Sequence, residues 1–585
     1  MKNIIKYIAI AIISISMFAV ACSEEFLEVT PFGTLNESVL DNVDGLDGLL
    51  IAAYAELDGW AGWNAGAVWD ATATNWVMAD VTADDAYKGT DAGDQPPMNP
   101  VERNEHDPSN RVINTNWNAF YDGIARSNDV IKIANASPDV DPNRIAQYIA
   151  EARFLRGHYH FQLVRIFGAN VPYVDETVPS DGLVPNDREI WADIEADLEA
   201  AMGTLPASQS QIGRATSWAA KAYLGRVFLY QAKYTQALAL FNDVINNGGF
   251  SMIPNFGDVH GTAGNNGPHS IFQVQMSVND GVPDGQNGNY GEVLNNPHNG
   301  SAGGGCCGFF QPTHNLVNAF KTMNGLPMAN FNDVDLENDQ GCFSAVPDCC
   351  QQDADGNCIE AYTVDTQPVD PRLDHTVGRK GIPYLDWGLH TGIGFIRDQT
   401  YGGPFSPKKR VFKVGEQNTN SISGHSWGAN GATAINYNII RYADILLMAA
   451  ECEIEGGNTT RGMELINEVR SRVKDNPDTW VKNGGADAAT YEIELYDTGL
   501  SQADARAALR FERRLEFAME GHRMFDLNRW GISVEVMNAY YAKESEAGKR
   551  AYLIGASFGA NRVLNPIPQP AIDRSVGTLT QNPGY

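Results

Sequence analysis

The sequence predicts a mainly α-helical fold of stacked helical hairpins, with a large irregular subdomain between two helical regions. Three observations predict this fold. Apolar residues recur at three- and four-residue steps over residues 144–168, as on one face of an amphipathic helix. Residues 216–246 and 438–473 each place small residues beside large apolar residues where two antiparallel helices would cross. Residues 251–435 are rich in Gly, Asn, Pro and Asp and contain only short strand-like pieces.

The first helical region contains a long helix that is expected to end at Gly168, because glycine commonly follows the last helical turn. The apolar side chains that define its buried face are Ile145, Ile149, Ala152, Leu155, Tyr159 and Leu163. One face of this helix is therefore expected to pack on the protein core.

The second helical segment matches a known repeat. Its Leu224, Gly225, Phe228, Ala237 and Phe241 fall at the spacing of the tetratricopeptide pattern L-G-x2-Y…A-x3-F. The two small residues would let antiparallel helices approach closely, with the two phenylalanines between them. A looser version follows at Ala450, Gly462, Ile466 and Val469. We expect such hairpins in a helical scaffold that covers about residues 36–250 and 436–585.

The irregular subdomain, about residues 251–435, carries six of the eight cysteines of the chain. They are Cys306, Cys307, Cys342, Cys349, Cys350 and Cys358. Outside the cytoplasm an even cluster predicts local disulfides, but six cysteines allow many pairings and the sequence does not choose among them. A zinc site is the alternative, although the adjacent pairs lack C-x-x-C ligand spacing. Cys452, in an apolar helical stretch, is expected to be a buried thiol.

The N-terminus has the layout of a lipoprotein signal peptide. Two lysines precede an uncharged apolar run at 7–20, which is shorter than the roughly 20 residues that a membrane-spanning helix needs. The run ends in small residues immediately before Cys22. We expect a signal peptide at 1–21 and one extracytoplasmic domain at 22–585, held by lipid on Cys22. An ordinary secreted protein is the alternative, since Ala19 stands where a lipobox usually has Leu.

The chain is strongly acidic. Its formal net charge is −30, and removal of the signal peptide, which carries two lysines and no acid, makes it −32. Nucleic acids and anionic lipids are therefore excluded as partners, because each needs a basic face. Aromatic residues make up 10% of the chain, which argues against disorder.

Three C-terminal segments resemble a known family. They are YNIIRYADILLMAAE at 437–451, RFERRLEFAMEGHRMFDLNRWG at 510–531 and NPIPQPAIDRSVGTLTQNPGY at 565–585. Together with C-S-E-E-F-L-E from Cys22 and D-P-R-L from Asp370, they resemble the SusD/RagB family of surface lipoproteins of Bacteroidetes, whose helical core contains tetratricopeptide-like hairpins. The chain departs from the family pattern at Met524, where Trp is frequent, and at Ala571, where an acidic residue is common.

The resemblance implies a glycan-binding partner of a SusC-like TonB-dependent outer-membrane transporter. In this family the SusD-like subunit sits over the transporter barrel as a lid and passes oligosaccharides into it. Glu24 and Glu25, just after Cys22, resemble the signal that sends such lipoproteins to the cell surface. The implied location is the outer membrane, with a lipid anchor and a surface-facing domain.

We do not expect hydrolytic chemistry from the sequence. Neither an H-E-x-x-H metal motif nor a G-x-x-x-x-G-K-[ST] phosphate loop occurs. Ion pairs between i,i+3 neighbours on a helix, Arg513 with Glu516 and Glu520 with Arg523, would explain the charges of residues 510–531. We therefore predict no enzyme activity. A surface glycoside hydrolase, or capture of peptides or other nutrients by the same fold, is the alternative.

Aromatic residues in loops are the predicted ligand contacts, because a flat apolar ring suits the C–H face of a sugar while carboxylates and amides bind its hydroxyls. The predicted set is Trp60, Trp63, Asp84, Asp85, Tyr87, Trp387 and Trp427. The remaining tryptophans considered, Trp69, Trp76, Trp117, Trp191, Trp218 and Trp530, are expected in the core. Because no basic groove is evident, we favour a neutral glucan, such as a laminarin-type β-glucan.

One acidic stretch in the irregular subdomain bears on metal binding. Asp353, Asp355 and Asn357 place oxygen ligands at alternate positions, but the glycine is fourth rather than sixth as in a calcium loop, and no glutamate falls at the twelfth. We expect a solvated turn and predict no cofactor and no metal, with calcium at this turn as the weaker alternative.

Overall fold

The computed structural model describes residues 37–59, 67–179, 182–282, 285–298, 306–331, 367–422, 431–545 and 550–585. The first-half helices are α1 Glu37–Leu40, α2 Val43–Ala55, α3 Asn99–Glu102, α4 Arg111–Asn135, α5 Pro142–Phe167, α6 Trp191–Thr204, α7 Ser217–Tyr230 and α8 Tyr234–Asn247. The later helices are α9 His314–Ala319, α10 Leu373–Thr376, α11 Gln399–Gly402, α12 Tyr442–Glu455, α13 Thr459–Lys474, α14 Gln502–Phe517, α15 Arg523–Arg529, α16 Ser533–Glu544 and α17 Gln569–Arg574.

The strands are short and pair two by two. They are β1 Ala86–Gly89, β2 Ser270–Val274, β3 Phe309–Pro312, β4 Thr322–Met323, β5 Leu326–Pro327, β6 Val377–Gly378, β7 Ser406–Pro407, β8 Ser421–Ile422, β9 Ala432–Thr433, β10 Tyr437–Arg441, β11 Lys482–Asn483 and β12 Ala486–Asp487. The antiparallel pairs are β1–β3, β2–β10, β4–β5, β6–β7, β8–β9 and β11–β12. The predicted mainly α-helical fold is confirmed.

Local signals set the limits of the long helices. The Asn110 side chain accepts the Val112 amide at the start of α4, and Asp141 accepts two amides ahead of the proline that opens α5. The helix α5 ends at Gly168, whose φ of +93° is readily adopted only by glycine. The helix end predicted at this residue is therefore confirmed.

Helices that follow one another in the chain pack as neighbours. The chain stacks α4 on α5, α5 on α6, α6 on α7 and α7 on α8, and α8 packs in turn on α12 of the C-terminal region. The helices α12, α13 and α14 continue the stack. The two helical regions thus form one layered scaffold, although some 190 residues separate α8 from α12 in the chain.

The predicted hairpin of α7 and α8 has the expected close approach. A Cβ on Gly225 would lie 2.5 Å from Cε1 of Phe241, whose side chain is fully buried. Ala237 is also fully buried, so small residues bring the two helices together around the aromatic ring. The role that the sequence assigns to Gly225 and Phe241 is confirmed.

The irregular subdomain is joined to the helical scaffold by a strand pair and by buried ion pairs. Strand β2 near its beginning pairs with β10 at its end, where Asn438 lies opposite Gln273. Arg372 of the subdomain is fully buried and forms ion pairs with Glu512 and Glu516 of α14, at 2.6 and 3.1 Å. The inserted region therefore contacts the scaffold near its beginning and again in its middle.

The ion pairs of residues 510–531 differ from the expected i,i+3 pairs. Arg513 pairs with Asp526 and Asp444, and Arg523 pairs with Asp84, so both arginines reach across elements. The expectation for these two pairs is wrong, because Glu516 pairs with arginines of other elements and because α14 ends at Phe517, before Glu520 and Arg523. One i,i+3 ion pair within a helix of this segment does occur, between Asp526 and Arg529 of α15.

The described cysteines are partly as expected. Cys452 is a buried free thiol, as predicted, and the structure joins Cys306 to Cys307 as a disulfide. Cys22, Cys342, Cys349, Cys350 and Cys358 lie outside the described residues. Within the described ranges, no helix has both the length and the apolar character that a membrane crossing requires.

Candidate functional site

The candidate binding site of the described protein is an open groove of about 840 Å³. Three parts of the chain line it: the end of α2 with the turn after it (residues 51–58), the loop at 210–214, and the chain from β2 onward (273–277 with 286–287). We call it the amide groove, because four glutamines and one asparagine line it. It lies where the helical scaffold meets the irregular subdomain, and its size is that of a ligand-binding cleft.

Two isoleucines form an apolar surface in the amide groove. Ile212 is 74% exposed and Ile51 is 57% exposed, which is unusual for large apolar side chains. Tyr54 and the mostly buried Met276 add to this apolar surface. A ligand with flat apolar patches gains free energy by covering these exposed carbons.

Amide side chains on β2 and β10 are held in place by one another. Gln273 donates to Asn438 at 2.8 Å, and Asn436 donates to Gln273 and Gln275 at 3.2 and 3.1 Å. Gln275 and Asn266 also exchange hydrogen bonds, at 2.9 and 3.0 Å. Amides that are fixed before a ligand arrives lose little side-chain entropy on binding, so this edge is pre-organised.

Gly213 allows the loop at 210–214 to lie directly against the strand. Its φ is +90°, and a Cβ at this position would lie 2.4 Å from Cγ of Gln275. Any other residue would be strained and would collide with the Gln275 side chain. The glycine therefore sets the distance between two walls of the amide groove.

Tyr54 and Arg214 form the end of the amide groove. The Tyr54 hydroxyl donates to Glu151 at 2.7 Å and accepts the Ala215 amide at 2.8 Å. Burial and the neighbouring Glu151 carboxylate raise the pKa of Tyr54, so its hydroxyl stays protonated. Among the described lining residues, Asp58 and Arg214 carry the charges, so the groove has no net charge.

Several loops meet around the short 3₁₀ helix Tyr290–Asn295, next to the amide groove. Thr72 contacts both Gly59 and Gly291, so the turn after α2 lies beside this helix. Gly431, which precedes β9, packs on Val293, and the Asn289 amide donates to Thr433 at 2.8 Å. The described residues that flank segments 60–66 and 423–430 are therefore close neighbours.

The predicted tryptophan contacts are only partly described. Trp60, Trp63 and Trp427 lie outside the described residues and stay predictions. Trp387 is half-buried in a turn, where its Nε1 donates to the Phe412 carbonyl at 2.8 Å and its ring packs edge-to-face on Phe412. It does not line the amide groove.

Asp84, Asp85 and Tyr87 are buried, at 2%, 1% and 0% exposure, which does not agree with their prediction as ligand contacts. Asp84 pairs with Arg523 at 2.7 Å and Asp85 with Arg514 at 2.8 Å. The Tyr87 hydroxyl donates to Glu544 at 2.5 Å. These side chains act inside the protein, because a buried carboxylate needs a cation to offset its lost hydration.

The negative charge of the buried Asp84 is offset by two arginines. Burial alone would raise the pKa of Asp84, but the guanidinium groups of Arg514 and Arg523 lower it to about 2. The carboxylate is therefore ionised at neutral pH and joins the chain before β1 to α14 and α15.

The amide residues of the groove were missed in the sequence, although a signal for them exists. Gln273 and Gln275 are two residues apart, as are Asn436 and Asn438. Side chains at this spacing in a strand share one face, so paired strands bearing such amides place them together. Among the described residues, no group of three His, Cys, Asp or Glu side chains could hold a metal ion. The predicted calcium alternative at Asp353, Asp355 and Asn357 lies outside those residues.

Comparison with known proteins gives the family. A family model described as "SusD family" matches residues 268–585, which is more than half of the chain. The chain belongs to the SusD family. A second model, described as "Starch-binding associating with outer membrane", matches residues 25–229. The two matches together cover most of both helical regions, and the predicted SusD/RagB resemblance is confirmed.

Relatives of similar length carry the same family name. "SusD-like protein P2" of Formosa agariphila is 25% identical over 99% of this chain and 100% of its own length. A "SusD-like protein" of Bacteroides ovatus is 25% identical over 71% of this chain and 65% of its own length. The SusD family match of this chain extends over the irregular subdomain and the C-terminal helices.

Solved structures share the SusD fold with this chain. A "Laminarin binding SusD-like protein" superposes with a TM-score of 0.63 at 23% identity, covering 93% of this chain and 100% of the other. "Surface glycan-binding protein A from Bacteroides thetaiotaomicron in complex with laminarihexaose" superposes with a TM-score of 0.62 at 22% identity, covering 92% and 99%. A SusD superfamily protein of Bacteroides vulgatus reaches 0.67 at 19% identity, covering 93% and 100%.

Proposed function

We propose that this SusD-family protein captures a neutral glycan in the amide groove and holds it for uptake. The observation that carries the proposal is the groove's combination of exposed apolar carbons with fixed amides and no net charge. A sugar ring has apolar C–H faces and hydroxyls that both donate and accept hydrogen bonds. Isoleucine and tyrosine surfaces suit the ring faces, and glutamine amides suit the hydroxyls because each amide can donate and accept.

A laminarin-type β-glucan is the ligand that we favour. Of the solved structures of the same fold, one is of a protein described as laminarin binding and another is of a complex with laminarihexaose. Acidic polysaccharides would meet a protein of net charge −30 and a groove without excess positive charge. Trp60, Trp63 and Trp427 stay predicted stacking surfaces for the glucan, and Asp58, two residues before Trp60, lines the groove.

Binding without hydrolysis is part of the proposal. Glycosidases use two carboxyl groups on opposite sides of the scissile bond, and Asp58 is the one carboxylate among the described groove residues. Burial raises the pKa of nearby Glu56 to about 9, as in a general acid, but its side chain is enclosed beneath Leu57 and 2% exposed. It therefore does not reach a ligand in the amide groove.

One sequence motif of hydrolases does occur in the chain. Residues 424–428 read G-H-S-W-G, which matches the G-x-S-x-G pattern of nucleophile elbows, and lie outside the described residues. A nucleophile elbow joins a strand to a helix. The described elements on either side of this segment are the strands β8 and β9, which pair with each other in antiparallel fashion.

The groove assignment is tested by titrating laminarihexaose into the protein in a calorimeter. Ile212→Ala removes exposed apolar carbons from the groove, so we expect binding about 3- to 10-fold weaker, or roughly 1 kcal/mol. Ile554→Ala is the matched control, because Ile554 is 60% exposed and lies outside the groove. Equal weakening of binding in both variants, or no weakening in either, would contradict the assignment. New reducing ends in the calorimeter cell would indicate hydrolysis.

We further propose that Cys22 carries the lipid anchor and that the protein delivers its glycan to a SusC-like TonB-dependent transporter at the cell surface. A tethered subunit stays at high effective concentration beside its transporter, so weak contacts suffice. In cells, Cys22→Ala is expected to move the protein from the outer-membrane fraction to the soluble fraction. The wild-type protein is expected to co-purify with the transporter. A soluble wild-type protein without that partner would refute both parts.

A further inference from the structure

A second pocket adjoins the amide groove at the end that Tyr54 and Arg214 form. It has a volume of about 270 Å³ and is lined by Asp47 of α2, by residues 144–151 of α5, and by Gln209–Gln211 with Arg214. We call it the polar pocket. It shares Ser210, Gln211 and Arg214 with the amide groove, so one chain segment forms the ridge between them.

Ion pairs in the polar pocket balance its charges. Asp47 accepts from Arg144 at 3.1 Å and lies 3.6 Å from Arg214, and Arg214 lies 3.4 Å from Glu151. The side chains of Arg144 and Asp47 are 47% and 35% exposed, so both can be reached from solvent. Two guanidinium groups and two carboxylates give no net charge, which suits a neutral ligand better than an ion.

Amides and a phenol add further hydrogen-bonding groups. Gln147 donates to Gln209 at 2.9 Å and to Glu151 at 3.1 Å, so the amides are held in position. The Tyr148 hydroxyl donates to Asp47 at 2.9 Å. Burial and this hydrogen bond raise the pKa of Tyr148 to about 12, which keeps the hydroxyl a donor. The pocket therefore presents donors and acceptors at close spacing, as neighbouring sugar hydroxyls require.

The ridge between the two concavities is held in place by contacts of the loop at 210–214. Arg214 donates to Gln211 at 2.9 Å, and Gly213 holds the loop against β2. Gln211 is exposed and lines both concavities, so a polymer can pass over it from one to the other.

We infer that the polar pocket is a second subsite for the same polyhydroxylated polymer, so that the protein binds long glycan chains more tightly than short ones. This inference rests on the proposed function of the amide groove. A chain that fills both concavities gains contacts at the second one without a second loss of translational entropy.

The inference is tested by comparing laminaribiose with laminarihexaose as calorimetric probes. Arg144→Ala removes an exposed side chain from the polar pocket and leaves Asp47 with Arg214 and Tyr148. We expect hexaose binding to weaken about 3- to 10-fold and biose binding to stay unchanged. Arg188→Ala is the matched control, since Arg188 is 56% exposed, pairs with Asp193 and lies outside the pocket.

The outcomes separate this inference from the proposed function. Hexaose binding that is equal in wild type and Arg144→Ala, and still weakened by Ile212→Ala, overturns the second subsite and keeps the amide groove. Wild-type protein that binds neither oligosaccharide contradicts the choice of a laminarin-type ligand and this inference with it. Gln147→Ala gives an independent test, and it is expected to affect the hexaose alone.

Discussion

Asp84 shows at the residue scale how burial decides what a carboxylate does. Its side chain is 2% exposed and lies between the guanidinium groups of Arg514 and Arg523. Removing one partner of such a buried pair costs about 3–5 kcal/mol, because the remaining charges lose their compensation. The residue therefore contributes to folding, whereas the exposed side chains of the amide groove are free to meet a ligand.

Asp84→Asn is expected to lower the free energy of unfolding at pH 7, with a smaller effect in acid. The folded-state pKa of about 2 is below the unfolded value of about 3.9. The stabilisation from ionised Asp84 is thus present above pH ~4 and is lost as the pH falls towards ~2. Urea unfolding of both proteins at pH 7, 5, 4 and 3 measures the difference.

The control for this prediction is Asp573→Asn, because Asp573 is exposed and accepts one hydrogen bond from Gln569. Its effect should stay within about 0.5 kcal/mol at every pH. A difference between wild type and Asp84→Asn that grows from pH 5 to pH 3 would show that the carboxylate is not held in its ionised form.

The sequence alone could not distinguish Asp84 and Asp85 from surface acids. Both follow an aromatic-rich segment, and the arginines that neutralise them are more than 400 residues away in the chain. Local pattern carries no information about such distant partners. Gln211 and Gln286 were missed because isolated glutamines in loops have no characteristic spacing.

At the scale of elements, the hairpin of α7 and α8 depends on one glycine. Gly225→Ala places a methyl group 2.5 Å from the buried Phe241 ring, where the close-packed core has no space for it. We expect the free energy of unfolding to fall by about 1–3 kcal/mol, as for other overpacked cores. Thermal or urea unfolding measures the loss.

Gly203→Ala in α6 is the matched control. A Cβ at Gly203 would have no atom within 4 Å, so the change adds helix propensity without a collision. It should leave stability unchanged or raise it by up to about 1 kcal/mol. Equal destabilisation by both substitutions would attribute the effect to the helix backbone and contradict the close approach at Phe241.

Helices with a regular spacing of apolar or small residues were predictable from the sequence, whereas elements without such a spacing were not. The 3.6-residue repeat and Gly168 located α5, and the small-residue spacing located the hairpin of α7 and α8. The short strands of the irregular subdomain have two to five residues, too few for a periodic signal. Their pairing depends on long-range contacts such as Asn438 with Gln273.

At the scale of the whole molecule, the amide groove exists because the irregular subdomain returns to the helical scaffold. The α8–α12 contact and the β2–β10 pair bring the two ends of the inserted region together. The loop at 210–214 and the end of α2 then face the amides of β2. The site combines residues from regions more than 200 residues apart, which explains why no single motif revealed it.

The most direct test of the proposed function is the crystal structure of the protein with laminarihexaose. The proposed function predicts glucose rings in the amide groove, in contact with Ile51 and Ile212, with hydroxyls at hydrogen-bond distance from Gln286 or Asn287. Occupation of the polar pocket by the remaining rings would also support the second subsite. A hexaose bound elsewhere, with the amide groove filled only by solvent, would contradict the central claim.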